Sequence, residues 1–326
     1  MFRTVIEEIE HSLSIEHPDQ ILTLGSCFSQ EMGNRLADNK FNVSINPFGT
    51  IFNPLSIIEL LELTLGSRES LGESVIERDG LYYNYKFHSS FHADTKDKLA
   101  AQVETSLNLV KSTLTNTKVL FLTFGTAWVH EIKDRKLLVA NCHKMPRNGF
   151  DKRMLDIQEI IPSFFGIKEM IQEINPDLQI VLTVSPVRHR KETLALNSAS
   201  KSVLRLACHY LSSMAPDVLY FPSYEVVMDD LRDYRYYDKD LIHLNEQGLD
   251  YIWQIFSKTY FSKKTSNTLK QWQEVSRALS HKPFNPDSHK HQQFLLSTLN
   301  KLQKLKSVLQ VNKEIASIKS QLNTNA

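Results

Sequence analysis

Short apolar runs alternating with helical patterns constrain this chain more than any other feature of it. The runs at 20–24, 41–45, 118–124, 178–184 and 217–221 read as strands. Val119-Leu120-Phe121-Leu122 and Ile180-Val181-Leu182 are apolar without interruption, as strands covered on both faces are. Residues 28–38, 55–65, 95–114, 155–174 and 191–213 carry helical spacing between the runs, and Pro162 is expected to break or kink the fourth of these helices. Strand and helix in alternation predict an α/β fold, a three-layer α/β/α sandwich around a central parallel sheet. A hairpin insertion is expected near 74–87, where Asp79-Gly80 is a tight-turn pair. The domain expectation is one large unit over 1–280 and a helical C-terminal extension over 281–326.

The chemistry-bearing residues fall into two short motifs. Gly25-Ser26-Cys27-Phe28 follows the first strand, and Phe28, Met32, Leu36 and Ala37 then lie on one helical stripe. Gly25-Ser26 therefore sits on a strand-to-helix turn at the carboxyl edge of the sheet, where parallel folds bind ligands. Ser26 reads either as a cap of that helix or as a nucleophile beside the free N–H groups of the helix start.

Asp240-Leu241-Ile242-His243 is the second motif. One turn can place the carboxylate on one imidazole nitrogen, leaving the other to take a proton from a hydroxyl. Asn245 is a good N-cap for the next helix, and Leu244 can staple against Leu249. Leu249, Ile252, Trp253, Phe256 and Tyr260 follow at helical spacing, so the base would stand on a firmly seated helix start.

The stretch Ile21-Leu22-Thr23-Leu24-Gly25-Ser26-Cys27-Phe28-Ser29 resembles the signature of the GSCFA domain family, grouped with the GDSL/SGNH esterases and lipases. Asn46-Pro47-Phe48-Gly49-Thr50, Thr123-Phe124-Gly125-Thr126-Ala127-Trp128, Asn141-Cys142-His143-Lys144-Met145-Pro146, Ser185-Pro186-Val187-Arg188-His189 and His281-Lys282-Pro283-Phe284-Asn285-Pro286 are similar to further blocks of that pattern. The resemblance implies Ser26 as nucleophile, His243 as base and Asp240 as its orienting carboxylate, with no cofactor or metal. It also implies that the N–H groups of Ser26 and Gly49 meet the oxyanion. One departure stands out: the wider superfamily has Gly-x-Asn-Asp in its third block, and Gly125-Thr126-Ala127-Trp128 has no Asn. A lost oxyanion donor costs about 3 kcal/mol of transition-state stabilisation. Asn141, returned by a hairpin over residues 128–141, is expected to fill the role, with the Thr126 hydroxyl as substitute. Cys27 adjoins Ser26 at the helix start, where a thiol is activated; it is read as a small buried residue, because neighbours on a turn point apart and the family role falls on the serine.

Arg188 and His189 follow a buried strand and are read either as rim residues that bind substrate or as loop structure. Tyr234, Tyr236 and Tyr237 line the pocket or cover the core. His88, His92 and His143 lack the spacing of a metal site. With 38 basic and 37 acidic residues the net charge is +1, so neither nucleic acid nor a membrane surface is an expected partner. Three widely spaced cysteines fit a reducing compartment, and no signal-like apolar segment or spanning run is present, so a soluble cytoplasmic protein is expected. Val308, Val311, Ile315, Ile318 and Leu322 form one C-terminal stripe, and Leu295, Leu299, Leu302, Leu305 and Leu309 an earlier one. These read as an amphipathic helix packed on its own domain or as a homodimer contact.

The sequence thus points to a serine hydrolase acting on an ester, with O-acyl or O-acetyl groups on a saccharide or small molecule as the substrate class drawn from the resemblance. The alternatives are a non-catalytic ligand-binding module on the same fold and an acyltransferase using the same residues.

Overall fold

Five parallel strands form the central sheet. The computed structural model describes residues 3–7, 11–66 and 69–323. The sheet contains β1 (Gln20–Gly25), β2 (Val43–Ile45), β6 (Thr117–Phe124), β10 (Gln179–Val184) and β11 (Val218–Tyr220). Its order is β11-β10-β6-β1-β2, and every pairing is parallel. The intervening helices are α1 (Cys27–Asp38), α2 (Pro54–Leu65), α3 (Lys96–Leu114), α4 (Ile157–Ile174) and α5 (Leu194–Met214). Each expected strand and helix is present, with ends moved by three residues or fewer.

The order runs outward in two directions from β1: to β2 on one side, and to β6, β10 and β11 on the other. Parallel crossovers are right-handed, so reversing the direction of winding moves the connecting helix to the opposite face. Helix α1 therefore covers one face and α2 to α5 the other, which makes the three layers of the α/β/α sandwich. The same reversal opens a crevice beyond the carboxyl ends of β1 and β6. On the α2–α5 side, Leu22, Leu24, Leu120, Leu122, Leu182 and Val184 pack with Ile57, Leu61, Leu107, Phe164 and Leu204 in one buried cluster.

Two small antiparallel sheets decorate this frame. One joins β3 (Val75–Arg78), β4 (Leu81–Asn84) and β5 (His92–Ala93), and its first turn is Asp79-Gly80, both residues at positive φ. The other joins β7 (Trp128–Ile132), β8 (Leu137–Val139) and β9 (Phe150–Met154). Helix α4 runs unbroken through Pro162. A full capping box of Asp156 and Glu159 starts it, and buried Ile160, Phe164, Ile167 and Ile171 hold both sides of the proline to the core, which outweighs one missing N–H.

The remaining helices are α6 (Ser223–Glu225), α7 (Glu246–Tyr260), α8 (Lys263–Leu279), α9 (His289–Leu305) and α10 (Asn312–Asn323). The chain divides into two compact units: 1–8, 20–34 and 43–254 in the first, and 9–19, 35–42 and 255–326 in the second. This boundary differs from the expected division at 280. In the second unit, Trp272 and Val275 of α8 share a core with both C-terminal leucine and isoleucine stripes. The Trp272 indole donates to the Asp38 carbonyl at 2.8 Å, and Lys40 stacks over its ring. Leu295, Leu299, Leu302 and Leu305 lie on α9 and Ile315, Ile318 and Leu322 on α10, with Leu309 and Val311 buried in the connection and Val308 exposed; the two helices pack together inside the unit. No helix among the described residues is long and apolar enough to cross a membrane.

Gly25 permits the closest strand approach. Its φ is +144°, and a Cβ there would lie 2.3 Å from the Thr123 carbonyl oxygen. Gly25→Ala should therefore cost roughly 2–5 kcal/mol, combining backbone strain with overpacking. Gly80→Ala, also at positive φ but with open space around the added carbon, should cost about 1–2 kcal/mol. Urea unfolding of both variants checks this, and equal losses would show that β1 and β6 can move apart.

Candidate active site

The site lies at the crevice where β1 ends. The pairing Gly25↔Thr123 closes the ladder, and the Ser26 N–H continues it by donating to the Thr123 carbonyl at 3.1 Å. The chain turns here, and Cys27 becomes the first residue of α1. Its Sγ lies 3.8 Å from Nε2 of His243.

His243 is held from behind by Asp240. Nδ1 is 2.6 Å from Asp240 Oδ2, while Oδ1 accepts the N–H groups of Ile242 and His243 at 2.9 and 3.0 Å. These bonds curl the segment into a tight loop with Leu241 at φ +60°. The loop is closed by the Asp238 N–H donating to the His243 carbonyl and by the Tyr237–Leu244 bridge. Asn245 anchors it twice over: its amide donates to the Arg235 and Tyr237 carbonyls, and its Oδ1 caps α7 through the Gly248 N–H. The His243 and Asp240 side chains remain 52% and 45% exposed, so water reaches the pair. The bonds from His243, then the backbone N–H groups, bring the Asp240 carboxyl down to about 2.

Electrostatics at Cys27 are opposed. Burial pushes its thiol up; the N–H groups of Phe28 and Cys27 and the Lys201 ammonium pull it down, and Glu31 adds to the rise. Burial prevails. The resting sulfur is a thiol, and it needs a base to become nucleophilic.

This geometry places the residues singled out from the sequence as follows. The Ser26 hydroxyl makes no hydrogen bond to His243. It is buried, with no hydrogen-bond partner among the described residues, because Ser26 still belongs to the packed strand end, where its Cβ abuts Gly125. The expected oxyanion donors are engaged elsewhere: Ser26 N–H on Thr123, and Gly49 N–H on the Asn46 carbonyl at 2.7 Å in a tight turn. The backbone N–H of Asn141 donates to Tyr85, and its side-chain oxygen accepts the His143 N–H. Thr126 Oγ1 pairs with Ser200 and accepts the Trp128 N–H, so it serves the fold. His189 Nε2 donates to the Gly125 carbonyl at 2.8 Å. Arg188 lies over the Tyr237 ring, 5.0 Å from its centroid, at the base of the His243 loop. Tyr237 is buried there and Tyr234 is exposed. His143 packs against Tyr83 and Tyr85 with Nε2 on the Asn84 carbonyl, and His92 packs on Tyr83.

Sequence reasoning missed Lys201. Its ammonium is buried and donates to the carbonyls of Gly125 and Ser185, both at 2.6 Å, at the ends of β6 and β10. A signal was available: Asn197, Lys201, Leu204, Cys208 and Leu211 fall on one buried 3–4 stripe of α5, so a lysine stands where core residues belong.

Fold and site together define an α/β chain that presents a thiol, an imidazole and a carboxylate in line at the switch point of a parallel sheet. The GSCFA family model matches residues 20–256, and the chain belongs to that family. Residues 272–324 match the C-terminal domain of GSCFA domain proteins. No curated protein matched the chain. Among solved structures, a Streptococcus pneumonia protein named for platelet activating factor is similar at 12% identity and TM-score 0.38, over 75% of this chain and 84% of its own. A Clostridium thermocellum family 3 carbohydrate esterase is similar at 15% identity and TM-score 0.31, over 78% and 98%. A family 3 carbohydrate esterase from Talaromyces cellulolyticus is similar at 10% identity and TM-score 0.31, over 77% and 98%.

Asp240 should fix the imidazole tautomer. A carboxylate depressed to about 2 holds Nδ1–H throughout the neutral range, and this hold is lost only as pH falls through about 2. In Asp240→Asn the amide can donate to Nδ1 and drive the proton to Nε2, the nitrogen facing Cys27. Histidine 15N shifts at pH 8 should report Nδ1–H in the parent protein and a dominant Nε2–H form in the variant; identical spectra would contradict the assignment.

Proposed function

We propose that this chain is a thiol-dependent ester hydrolase in which Cys27 is the nucleophile, His243 the general base and acid, and Asp240 the residue that orients the imidazole. One observation carries the reading: Cys27 Sγ lies 3.8 Å from the free nitrogen of a carboxylate-held histidine, whereas the buried Ser26 hydroxyl has no hydrogen-bond partner among the described residues.

The chemistry follows from the contacts. His243 Nε2 takes the thiol proton as Sγ attacks the ester carbonyl, and the imidazolium is balanced by Asp240. The tetrahedral oxyanion forms beside the first turn of α1, whose leading N–H groups have no intrahelical acceptor. The N–H groups of Cys27 and Phe28, which already favour a charged sulfur, are the donors this geometry supports best. Collapse breaks the ester C–O bond, and the leaving alkoxide takes the proton from His243. A thioester to Cys27 remains. Water, giving its proton to His243, then attacks that thioester, releases the carboxylic acid and restores the thiol. The exposure of His243 and Asp240 favours water as the second acceptor over another alcohol. The substrate class is an ester of a small molecule or saccharide, as the resemblance to esterases implies.

Hydrolysis of a short-chain aryl ester tests the reading. Cys27→Ala should lose roughly three or more orders of magnitude in kcat/KM, because the covalent route is gone. Ser26→Ala should stay within a few-fold of the parent and fold at least as stably, since it removes a buried hydroxyl that bonds nothing among the described residues. The opposite pattern would restore the serine, and no turnover by any form would leave a ligand-binding module.

A further inference from the structure

Among the described residues, three lysines are buried in the first unit, and they differ in how their charge is met. Lys86 is paired with Glu59, and Lys168 lies 2.8 Å from Asp217. Lys201 has no carboxylate partner among the described residues. Its ammonium has three N–H donors, and two of them are used, on the carbonyls of Gly125 and Ser185. A buried cation without a counter-ion is costly, and a fold retains one where its charge does something.

Its surroundings say what. Gly125, whose carbonyl it holds, packs directly on Ser26, the residue before Cys27. Its charge acts on the Cys27 sulfur of α1 and on His189, whose ring bonds the same Gly125 carbonyl, while Arg205, His209 and Tyr224 line the same cavity as Lys201. Arg205, one turn further along α5, is already paired with Glu225. His189 cannot carry a negative charge. Burial pushes the Tyr224 phenol up, whereas the interaction of Lys201 with the Cys27 sulfur favours the thiolate, so Cys27 is the group whose anion this charge supports.

The geometry points to Lys201 as a positioning and charge-setting residue of this site, clamping the ends of β6 and β10 behind Cys27 and supplying the positive charge that favours its thiolate. The inference rests on Cys27 being the reactive group of the site. Burial lowers the Lys201 ammonium to about 7, and interaction with the Cys27 sulfur raises it, so each group favours the charged form of the other. The sign of the pH effect follows. Below about pH 7 the cation is present and the thiolate fraction is enhanced. As pH rises through the Lys201 value the cation disappears, and the enhancement goes with it.

Alkylation of Cys27 by iodoacetamide, read by mass spectrometry with Cys142 and Cys208 as internal controls, tests this without requiring ester hydrolysis. Lys201→Met should lower the Cys27 rate about tenfold at pH 6–7. The ratio of parent to variant should approach one above about pH 9, a profile that a purely structural role would not produce. A ratio that is one throughout, or constant with pH, overturns the inference, whatever the esterase assay reports. If alkylation follows the expected profile while no ester is cleaved, the inference stands and the hydrolase reading falls. Should Lys201→Met fail to fold, the coupling is read from the other side. The Lys201 13Cε titration midpoint in Cys27→Asp should exceed that in Cys27→Asn by about one pH unit, and equal midpoints overturn the inference.

Discussion

The close approach of β1 to β6 at Gly25 is the constraint on which the site depends. Because position 25 carries no side chain, β1 stays paired with β6 to its last residue, and the backbone bond from Ser26 to Thr123 extends the ladder one step further. The chain has no room to turn before Ser26 and must turn at once after it. Cys27 is thereby placed at the first position of α1, at the reversal of sheet winding, with its sulfur among helix N–H groups that lack intrahelical partners.

A second balance acts on the Cys27 sulfur. Burial disfavours the Cys27 thiolate, while backbone N–H groups and the Lys201 charge favour it, and burial prevails at rest. A thiol kept neutral in this way is activated only when a base stands ready. The loop that carries His243 is firmly built. Both carboxylate oxygens of Asp240 are used on His243 and its own loop, and Asn245 ties that loop to the start of α7. An exposed Asp–His pair contributes little to stability. Its value here lies in orientation, since the line from carboxylate to imidazole to sulfur requires one tautomer and one loop geometry.

Much of this was legible in the sequence, for identifiable reasons. Strands buried on both faces must be apolar throughout, so β1, β6 and β10 were readable from composition alone. Asp79-Gly80 marked its hairpin because both residues tolerate positive φ. The Asp240–His243 pair was readable because three residues of spacing limit how far apart the groups can lie. Pro162 misled, because the rule that prolines interrupt helices is local, and the packing that carries α4 through it is not.

What the sequence by itself determined is the succession of elements, the fold class that follows from it, and the set of reactive groups gathered at the ends of the strands. The tertiary structure decided that the Cys27 sulfur lies beside the histidine. Ser26 and Cys27 stand side by side in a linear reading, and only the folded chain buries the Ser26 hydroxyl without a partner and sets the Cys27 sulfur beside the imidazole. It also decided that the N–H groups of Ser26 and Gly49 are consumed by neighbouring carbonyls, and that a lysine on the inner stripe of α5 reaches the carbonyls behind the site. Hydrogen-bond partners and charge environments are set by residues distant along the chain, and periodicity and motif spacing, being local quantities, do not encode them.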